Sequence, residues 1–279
     1  MTVLVTGASG KVGRHVVQAL DSRGVPARPA TRRSSIPLDW TDPAGWNAAL
    51  AGVDRVFLVM PGGDDGHRSV TGLGRRVIRF LDLAEQSGVG RVVLMTAMGM
   101  QYVPSEVDQR AVELRVQSSS MRWTILRPNW FYQNVTEGPL RDLAEAYAGR
   151  LLLPTGDAAV SFIDARDIAA VAVAALVADH HGHEYTLTGS ESLTFADVAS
   201  LASAEGLPVT AYEHVPVAQF RHAVLDLGWE PSYVDTMCQL FATIAAGHAA
   251  HISQDVPSVL GRNPTTFTEF AQQWQASIA

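Results

Sequence analysis

The first half of the chain alternates short apolar runs with longer stretches in which apolar residues recur every three or four positions. The short runs are typical of buried strands, and the longer stretches are typical of helices that bury one face. Such alternation predicts an α/β fold built on a doubly wound parallel sheet with right-handed crossovers. The predicted strands are residues 2–6, 25–32, 55–60, 91–96 and 122–127, and the predicted helices are residues 11–23, 43–50, 70–86 and 106–118.

A glycine-rich turn joins the first predicted strand to the first predicted helix. A strand that runs through such a turn into a helix aims backbone N–H groups and the positive helix end at one point, which suits a pyrophosphate. Gly7 permits the tight turn, Gly10 lets the backbone approach the phosphates, and Gly13 lets helix and strand pack closely. In this context the turn predicts a dinucleotide site, although a plain βα turn is the alternative. The expected contacts are Gly7, Ala8, Ser9, Gly10, Lys11, Val12 and Gly13.

Beyond Pro128 the pattern changes to helices separated by very short strands. Since no repeat or linker divides the chain, the second half is expected to return strands to the first sheet and to cap its ligand edge. We therefore predict a Rossmann-type dinucleotide-binding domain over residues 1–134 and a smaller C-terminal α/β substrate lobe over residues 135–279, interleaved with it. The predicted helices of the lobe are residues 137–149, 164–178, 194–205 and 217–225, and its predicted strands are residues 185–187 and 209–212.

The end of the second predicted strand bears on the choice between the two nicotinamide dinucleotides. An acidic residue there would hold the ribose 2′-hydroxyl of NAD, whereas an arginine accommodates the 2′-phosphate of NADP. The chain has Arg32 and Arg33 in this stretch and no carboxylate. Because a guanidinium binds phosphate through a planar fork of donors, NADP is favoured, although both arginines would also suit a solvated loop.

The spacing G-x-x-G-x-x-G resembles that of the extended and atypical short-chain dehydrogenase/reductases. The resemblance implies that Asp39 and Trp40 lie along the adenine of the cofactor, although an aspartate in a turn is the alternative. It also implies that Thr96 takes the place of a serine that usually contacts the substrate carbonyl. Met60 and Pro61 begin a small, kinked turn that would let the ribose and phosphates lie on the end of the third strand.

The catalytic pair of that superfamily is missing. Typical members carry Tyr-x-x-x-Lys, in which the lysine lowers the pKa of the tyrosine so that its hydroxyl can exchange a proton. Counting onward from Thr96 places Gln109 and Glu113 in the two positions, and Lys11 is the only lysine of the chain. Tyr102 is close by but has no lysine four residues later. Alcohol dehydrogenation by such a pair is therefore not expected.

Motifs in later segments resemble those of a smaller group within that superfamily. Residues 126–134 read Leu-Arg-Pro-Asn-Trp-Phe-Tyr-Gln-Asn, and residues 110–113, 162–169 and 261–270 match the same group. Along its whole length the chain resembles the NmrA-like proteins, which include NADPH quinone reductases, triphenylmethane-dye reductases and a regulator. The resemblance implies an NADPH-dependent reductase of quinones, azo compounds or similar aromatic acceptors. A non-catalytic NADP-binding regulator that presents a surface to a protein partner, and a tailoring enzyme for an aromatic natural product, are the alternatives.

The turn after the fifth predicted strand is expected to face the nicotinamide. Pro128, Asn129 and Phe131 would contact the cofactor, with Asn129 bonded to the carboxamide or the ribose, although a packed loop is the alternative. Glu113 would orient Asn129 or Asn134 from below, although an exposed helix carboxylate is the alternative, and Asn129, Tyr102 and Glu113 are the catalytic candidates. Conjugated acceptors take a hydride readily and can take their proton from water, so positioning would supply much of the rate. The expected substrate contacts are Met98, Tyr102, Trp130 and Tyr132.

Composition limits the remaining classes. The formal net charge is −7 without a basic stripe, so direct nucleic-acid binding is not expected. Cys238 is the only cysteine, which excludes an internal disulfide and favours a reducing, cytoplasmic setting. The longest apolar stretch, residues 168–178, is too short to span a bilayer. The three histidines in residues 180–183 lie in a predicted turn without matching ligands, so no metal site is expected.

Overall fold

The computed structural model describes residues 1–60 and 72–278. Strands and helices alternate through the first half, as the hydrophobic pattern predicts. The strands are β1 (Val3–Thr6), β2 (Ala27–Ala30), β3 (Arg55–Val59), β4 (Arg91–Met95), β5 (Arg122–Pro128), β6 (Arg150–Leu153), β7 (Ala159–Val160), β8 (His183–Leu187), β9 (Leu193–Thr194) and β10 (Ala211–His214). The helices are α1 (Gly13–Asp21), α2 (Trp46–Leu50), α3 (Leu73–Gln86), α4 (Asp108–Gln117), α5 (Pro139–Ala146), α6 (Ala165–Val177), α7 (Phe195–Ala204), α8 (Val217–Asp226), α9 (Pro231–Ala245), α10 (Asp255–Leu260) and α11 (Phe267–Ile278).

Element boundaries differ from the predicted ones where backbone geometry decides them. Helix α1 begins at Gly13 rather than at residue 11, because the glycine turn continues through Val12. Strand β2 ends at Ala30, where the chain turns and the Ser34 hydroxyl donates to the Thr31 carbonyl at 2.8 Å. The elements β6, β7, β9, α10 and α11 have no counterpart among the predicted ones.

The central sheet is entirely parallel, in the order β2-β1-β3-β4-β5-β8. Successive side chains of a strand point to opposite faces. Val3 and Val5 therefore join the apolar cluster that contains α1 and α6, while Leu4 joins the cluster that contains α2, α3 and α4. Helices cover both faces, which confirms the predicted doubly wound Rossmann-type sheet.

The strand order reverses between β1 and β3, which are neighbours in the sheet. In doubly wound sheets, ligands bind beyond the carboxyl ends of the strands at such a reversal. The two strand ends are tied together there, since Thr6 Oγ1 accepts from the Val59 N–H at 2.8 Å and donates to the Val59 carbonyl at 3.2 Å. This edge therefore has a defined shape before any ligand arrives.

The second half of the chain contributes both to the sheet and to a separate core. Strand β8 pairs with β5 at the edge of the sheet, and α6 packs on one sheet face. Helices α5, α7, α8, α9 and α11 surround the parallel pair β6–β10 and bury an aromatic-rich core. Within the described ranges, no helix combines the length and apolar character that a bilayer crossing requires.

Candidate functional site

A cavity of about 500 Å³ lies between the carboxyl end of the sheet and helix α9. Residues that follow β4 and β5 form one wall, the segment 134–140 forms a side, and α9 with the turn after it forms the facing wall. Lys11 reaches the cavity from the glycine turn. Most of the lining is apolar or aromatic, which suits a flat, unsaturated ligand.

The glycine turn has the geometry that its spacing predicts. Gly7 adopts a φ of +60°, a conformation that residues with a side chain rarely adopt. A Cβ added to Gly13 would lie 2.1 Å from the Gly7 carbonyl oxygen, so helix and strand pack closely only because position 13 is bare. Helix α1 starts without a side-chain cap and without an acidic residue in its first turn. The positive end of the helix therefore suits an anion.

The loop after β2 leaves both candidate selectors exposed. Arg32 and Arg33 are both solvent-exposed, and the turn that carries them is held by Ser34. Asp39 accepts from the backbone N–H and from the hydroxyl of Thr41, both at 2.7 Å. These bonds, together with Arg32, hold the pKa of the Asp39 carboxyl below its ordinary value.

Trp40, Met60 and Pro61 are the other candidate contacts for the adenosine end of a cofactor. Trp40 packs edge-on against Trp46 and Phe80, with ring centroids 6.1 and 5.2 Å away. Met60 follows β3 and is partly buried against the same cluster. Pro61 lies outside the described residues. The roles of these residues in binding stay predictions.

Glu113 is buried beneath the cavity in an ionic network. Its carboxylate accepts from Thr96 Oγ1 at 2.7 Å, from Arg127 Nε and Nη2 at 2.8 and 2.9 Å, and from Arg110 Nη1 at 2.7 Å. Burial by itself would raise the pKa of Glu113, but the bonds from Arg127, Thr96 and Arg110 together lower it. Burial likewise acts to lower the pKa of Arg127, yet its bonds to Glu113 and Glu184 raise it.

The network corrects two expectations. Glu113 bonds neither Asn129 nor Asn134 but accepts a hydrogen bond from the Thr96 hydroxyl. The Thr96 oxygen is therefore left as an acceptor toward the cavity, so it cannot donate to a substrate carbonyl as the serine of the resemblance would. Glu113 itself has no solvent exposure, and a direct catalytic contact is excluded on geometric grounds.

The donor group of Asn129 is not available to bind a nicotinamide. Its Nδ2 donates to the Ser161 hydroxyl and to the Ala249 carbonyl, both at 2.8 Å. Both donor hydrogens are thus used within the protein, and only the side-chain oxygen is left for a ligand. The amide instead joins the turn after β5 to the turn after α9, two walls of the same cavity.

The structure separates the aromatic residues that were expected to contact substrate. Trp130 lines the cavity with its ring stacked on Phe241 at a centroid distance of 5.5 Å, and Met98 and Phe131 also line it. Tyr132 does not, because its side chain is 1% exposed and packs in the aromatic-rich core around β6 and β10. Tyr102 is 85% exposed and lies outside the cavity lining, so it has no geometric basis as a catalytic group.

Lys11 is the charged side chain that enters the cavity from the glycine turn. Its Nζ donates to Asn134 Oδ1 at 2.7 Å. Burial lowers its pKa, with a further lowering by Arg14 and opposing contributions from Glu137 and Asp142. A second bridge runs parallel to it, since Arg14 Nη1 donates to Glu137 at 2.9 Å. Both bridges connect the glycine turn to the segment beside the cavity.

Sequence reasoning missed the wall that faces the sheet. Tyr233, Met237, Leu240 and Ile244 of α9 line the cavity, followed by His248 in the next turn. Their spacing marks one side of a helix, a signal that an ordinary core helix also shows. Only the packing of the lobe over the sheet identifies this side of α9 as part of a ligand cavity.

Two of the histidines in residues 180–183, for which no metal site is expected, contact Tyr185. His180 Nδ1 lies 2.7 Å from the Tyr185 hydroxyl, and the His183 ring stacks on the same tyrosine. Within residues 1–60 and 72–278, no group of three His, Cys, Asp or Glu side chains is placed to hold a metal ion.

Known proteins share both the sequence pattern and the fold. A family model described as NAD(P)H-binding matches residues 7–179. The chain belongs to this NAD(P)H-binding family. It is 33% identical to NAD(P)H azoreductase from Xenophilus azovorans, over 99% of this chain and 99% of that protein. This match confirms the family relationship that the sequence motifs indicate.

Solved structures of this kind superimpose over nearly the whole chain. Triphenylmethane reductase from Citrobacter sp., complexed with NADP(H), gives a TM-score of 0.74 at 19% identity and covers 98% of this chain and 99% of that one. The NADPH-dependent quinone oxidoreductase from Escherichia coli, complexed with NADPH, gives a TM-score of 0.74 at 21% identity, with 99% and 100% covered. At these identities the likeness concerns the fold.

Proposed function

We propose that this protein is an NADPH-dependent reductase that delivers hydride to conjugated aromatic acceptors such as quinones and azo compounds. The observation that carries the proposal is the apolar cavity, which lies over the carboxyl ends of β4 and β5 and is lined on one side by Lys11 of the glycine turn. A hydride donor bound along that edge would face a flat acceptor in the cavity. The azoreductase relative supports the same class of acceptor.

The residues at the sheet edge fit a nicotinamide dinucleotide. The bare backbone at Gly10 and the uncapped start of α1 suit the pyrophosphate, and the exposed Arg32 and Arg33 suit a 2′-phosphate. Thr96 and Phe131 would hold the nicotinamide end, where the Thr96 oxygen can accept from a carboxamide or a ribose hydroxyl. When bound, the reduced cofactor supplies a hydride.

The protein's own contribution is to position the acceptor and to keep water away. Trp130 is fixed by its stack on Phe241 and by an edge contact with Phe195, so that wall of the cavity is rigid. Asn129 holds the wall after α9 against the wall after β5. Fixed walls keep the acceptor beside the hydride donor. The bound acceptor therefore has little translational freedom and stays in the reactive geometry.

The experiment is NADPH oxidation by the purified protein with a quinone such as menadione and with an azo dye. We expect oxidation that depends on the acceptor, with hydroquinone or hydrazo products detected by chromatography. A Gly10→Val variant serves as the matched control, because a side chain there would block the approach of the phosphates. Tight binding of NADPH without turnover of any acceptor would instead favour the cofactor-dependent regulator.

A cytoplasmic location completes the proposal. It is supported by the single cysteine, Cys238, which leaves no internal disulfide to form. Fractionation of cells that express the protein at its natural level tests it, with recovery outside the cytoplasmic fraction as the contrary result.

A further inference from the structure

Reduction of an azo bond consumes a proton as well as a hydride. The need for a proton donor rests on the proposed function, because only a reductive step creates it. Thr96 does not supply the proton, since its hydroxyl points to the carboxylate of Glu113 at 2.7 Å. Glu113 does not supply it directly either, because it is fully buried behind Thr96.

His248 lies on the α9 side of the cavity, in the turn that follows that helix. The backbone N–H of His248 donates to the Thr243 carbonyl at 3.2 Å. The carbonyl of the next residue, Ala249, accepts from Asn129 Nδ2 at 2.8 Å and from the Ser161 N–H at 2.9 Å. The imidazole is therefore carried on a backbone segment tied to the residue that follows β5.

Two other ionisable side chains face the described part of the cavity. Lys11 comes from the glycine turn, where its Nζ is bonded to Asn134 and where the cofactor phosphates would lie. Tyr233 comes from α9, and burial raises the pKa of its hydroxyl to about 12, which makes it a weak acid. His248 is solvent-exposed, so its ring can regain a proton from water, and imidazole is the side-chain type that exchanges a proton near neutral pH.

We infer that His248 is the general acid of this cavity and protonates the acceptor as the hydride arrives. With an azo compound, hydride from the reduced nicotinamide cofactor forms an N–H bond at one nitrogen, and the π bond between the nitrogens breaks. The electron pair of that bond takes the proton of the His248 imidazolium at the other nitrogen. The products are a hydrazo compound and the oxidised cofactor, and neutral His248 is protonated again by water.

Two kinds of acceptor distinguish proton donation from substrate positioning. An azo dye needs a hydride and a proton, whereas a cationic triphenylmethane dye becomes a neutral leuco dye by accepting a hydride alone. For His248→Gln we expect kcat with an azo dye to fall by about 10²-fold or more, as for a positioned general acid. We expect kcat with crystal violet to fall far less than kcat with the azo dye. A structural role would lower both rates alike.

His251→Gln is the matched control. This histidine is exposed on the same segment but is not part of the cavity lining, so both rates should stay at the parental value. Imidazole added to His248→Ala should restore turnover of the azo dye.

A readout that needs no turnover accompanies the kinetics. A stilbene with the shape of the azo dye cannot be reduced in this way, and it is titrated into the protein without cofactor. We expect the NMR signals of the His248 ring, assigned by their loss in His248→Gln, to shift, while those of His251 stay in place.

Parental azo turnover in His248→Gln, or failure of imidazole to restore His248→Ala, would overturn the inference. An unmoved His248 signal with bound stilbene would also overturn it. Absence of turnover with every acceptor in the parent protein would contradict the proposed function instead, and the NMR titration would still decide whether His248 faces the ligand.

Discussion

The Thr96 hydroxyl donates a hydrogen bond to Glu113 Oε1, 2.7 Å away, in a carboxylate with no solvent exposure. Glu113 is fixed in turn by the paired donors of Arg127 and by Arg110. The position expected to donate to a substrate is thereby turned into an acceptor at the cavity wall. An ionic network below the floor therefore sets the hydrogen-bonding direction of a residue that faces the ligand.

Glu113→Gln should destabilise the fold strongly. The change leaves Arg127, which is 3% exposed, without its full countercharge. Removing one partner of a buried ion pair costs about 3–5 kcal/mol. Urea unfolding measures the loss, and Glu106→Gln is the control, because Glu106 is an exposed carboxylate just before α4. Equal unfolding midpoints for the two variants would contradict the predicted role of the network.

Acid should remove part of the same stabilisation. Because the pKa of Glu113 is lower in the folded protein, its contribution is complete above the pKa of an unfolded glutamate, about 4.3, and is lost as the pH falls through the lower folded value. Other carboxylates contribute as well, among them Glu85, whose pKa is lowered to about 2 by Ser120 and Arg115. The difference between parent and Glu113→Gln should therefore shrink on acidification. A constant difference down to low pH would count against this assignment.

Arg32→Ala should weaken NADPH binding and leave NADH binding nearly unchanged. Arg32 is exposed directly after β2, where it can contact a 2′-phosphate that NADH lacks. A charge-assisted hydrogen bond is worth about 1.5–3 kcal/mol. Calorimetry with both cofactors measures the effect, and Arg23→Ala, an exposed arginine after α1, is the control. Equal affinity of the parent protein for NADPH and NADH would refute the predicted selectivity.

Substitution of Gly13 should destabilise the fold, whereas substitution of Gly10 should prevent NADPH binding. A Cβ at position 13 would lie 2.1 Å from the Gly7 carbonyl, so Gly13→Ala should destabilise the fold by about 1–3 kcal/mol, the range for overpacking. At position 10 the closest atom is the same oxygen at 3.2 Å, so Gly10→Val should fold but lose NADPH binding. Gly90→Ala is the control, because its nearest neighbour is 3.8 Å away. NADPH affinity and unfolding midpoints together test both claims.

Asn129→Asp should impair turnover more than Tyr102→Phe. The aspartate keeps the shape but cannot donate to Ser161 and Ala249, so the wall that carries His248 is released. Tyr102 is 85% exposed outside the cavity, and loss of its hydroxyl should leave kcat at the parental value. Steady-state kinetics with an active acceptor compare the two. A collapse of kcat in Tyr102→Phe alone would restore a tyrosine-based mechanism.

Features that depend on short-range patterns could be predicted from the amino-acid sequence. The alternation of strands and helices, the glycine turn and the arginines after β2 are read from neighbouring residues, because backbone freedom at Gly7 and side-chain periodicity act over a few positions. The same motifs were sufficient to indicate the NAD(P)H-binding family, which the match over residues 7–179 confirms. These patterns can be recognised without knowing which segments contact one another in the folded protein.

Which distant residues line the cavity depends on how the folded chain packs, and the sequence does not show it. Asn129 meets Ala249 across 120 positions, and Thr96 meets Glu113 across 17, so no local pattern marks either contact. The sequence suggested Tyr102 and Tyr132 for the site, yet one faces solvent and the other is buried in the lobe core. His248 entered the site instead, because the packing of α9 over the sheet edge places the following turn there. Long-range packing sets these positions, and its energy is distributed over contacts that a linear sequence does not reveal.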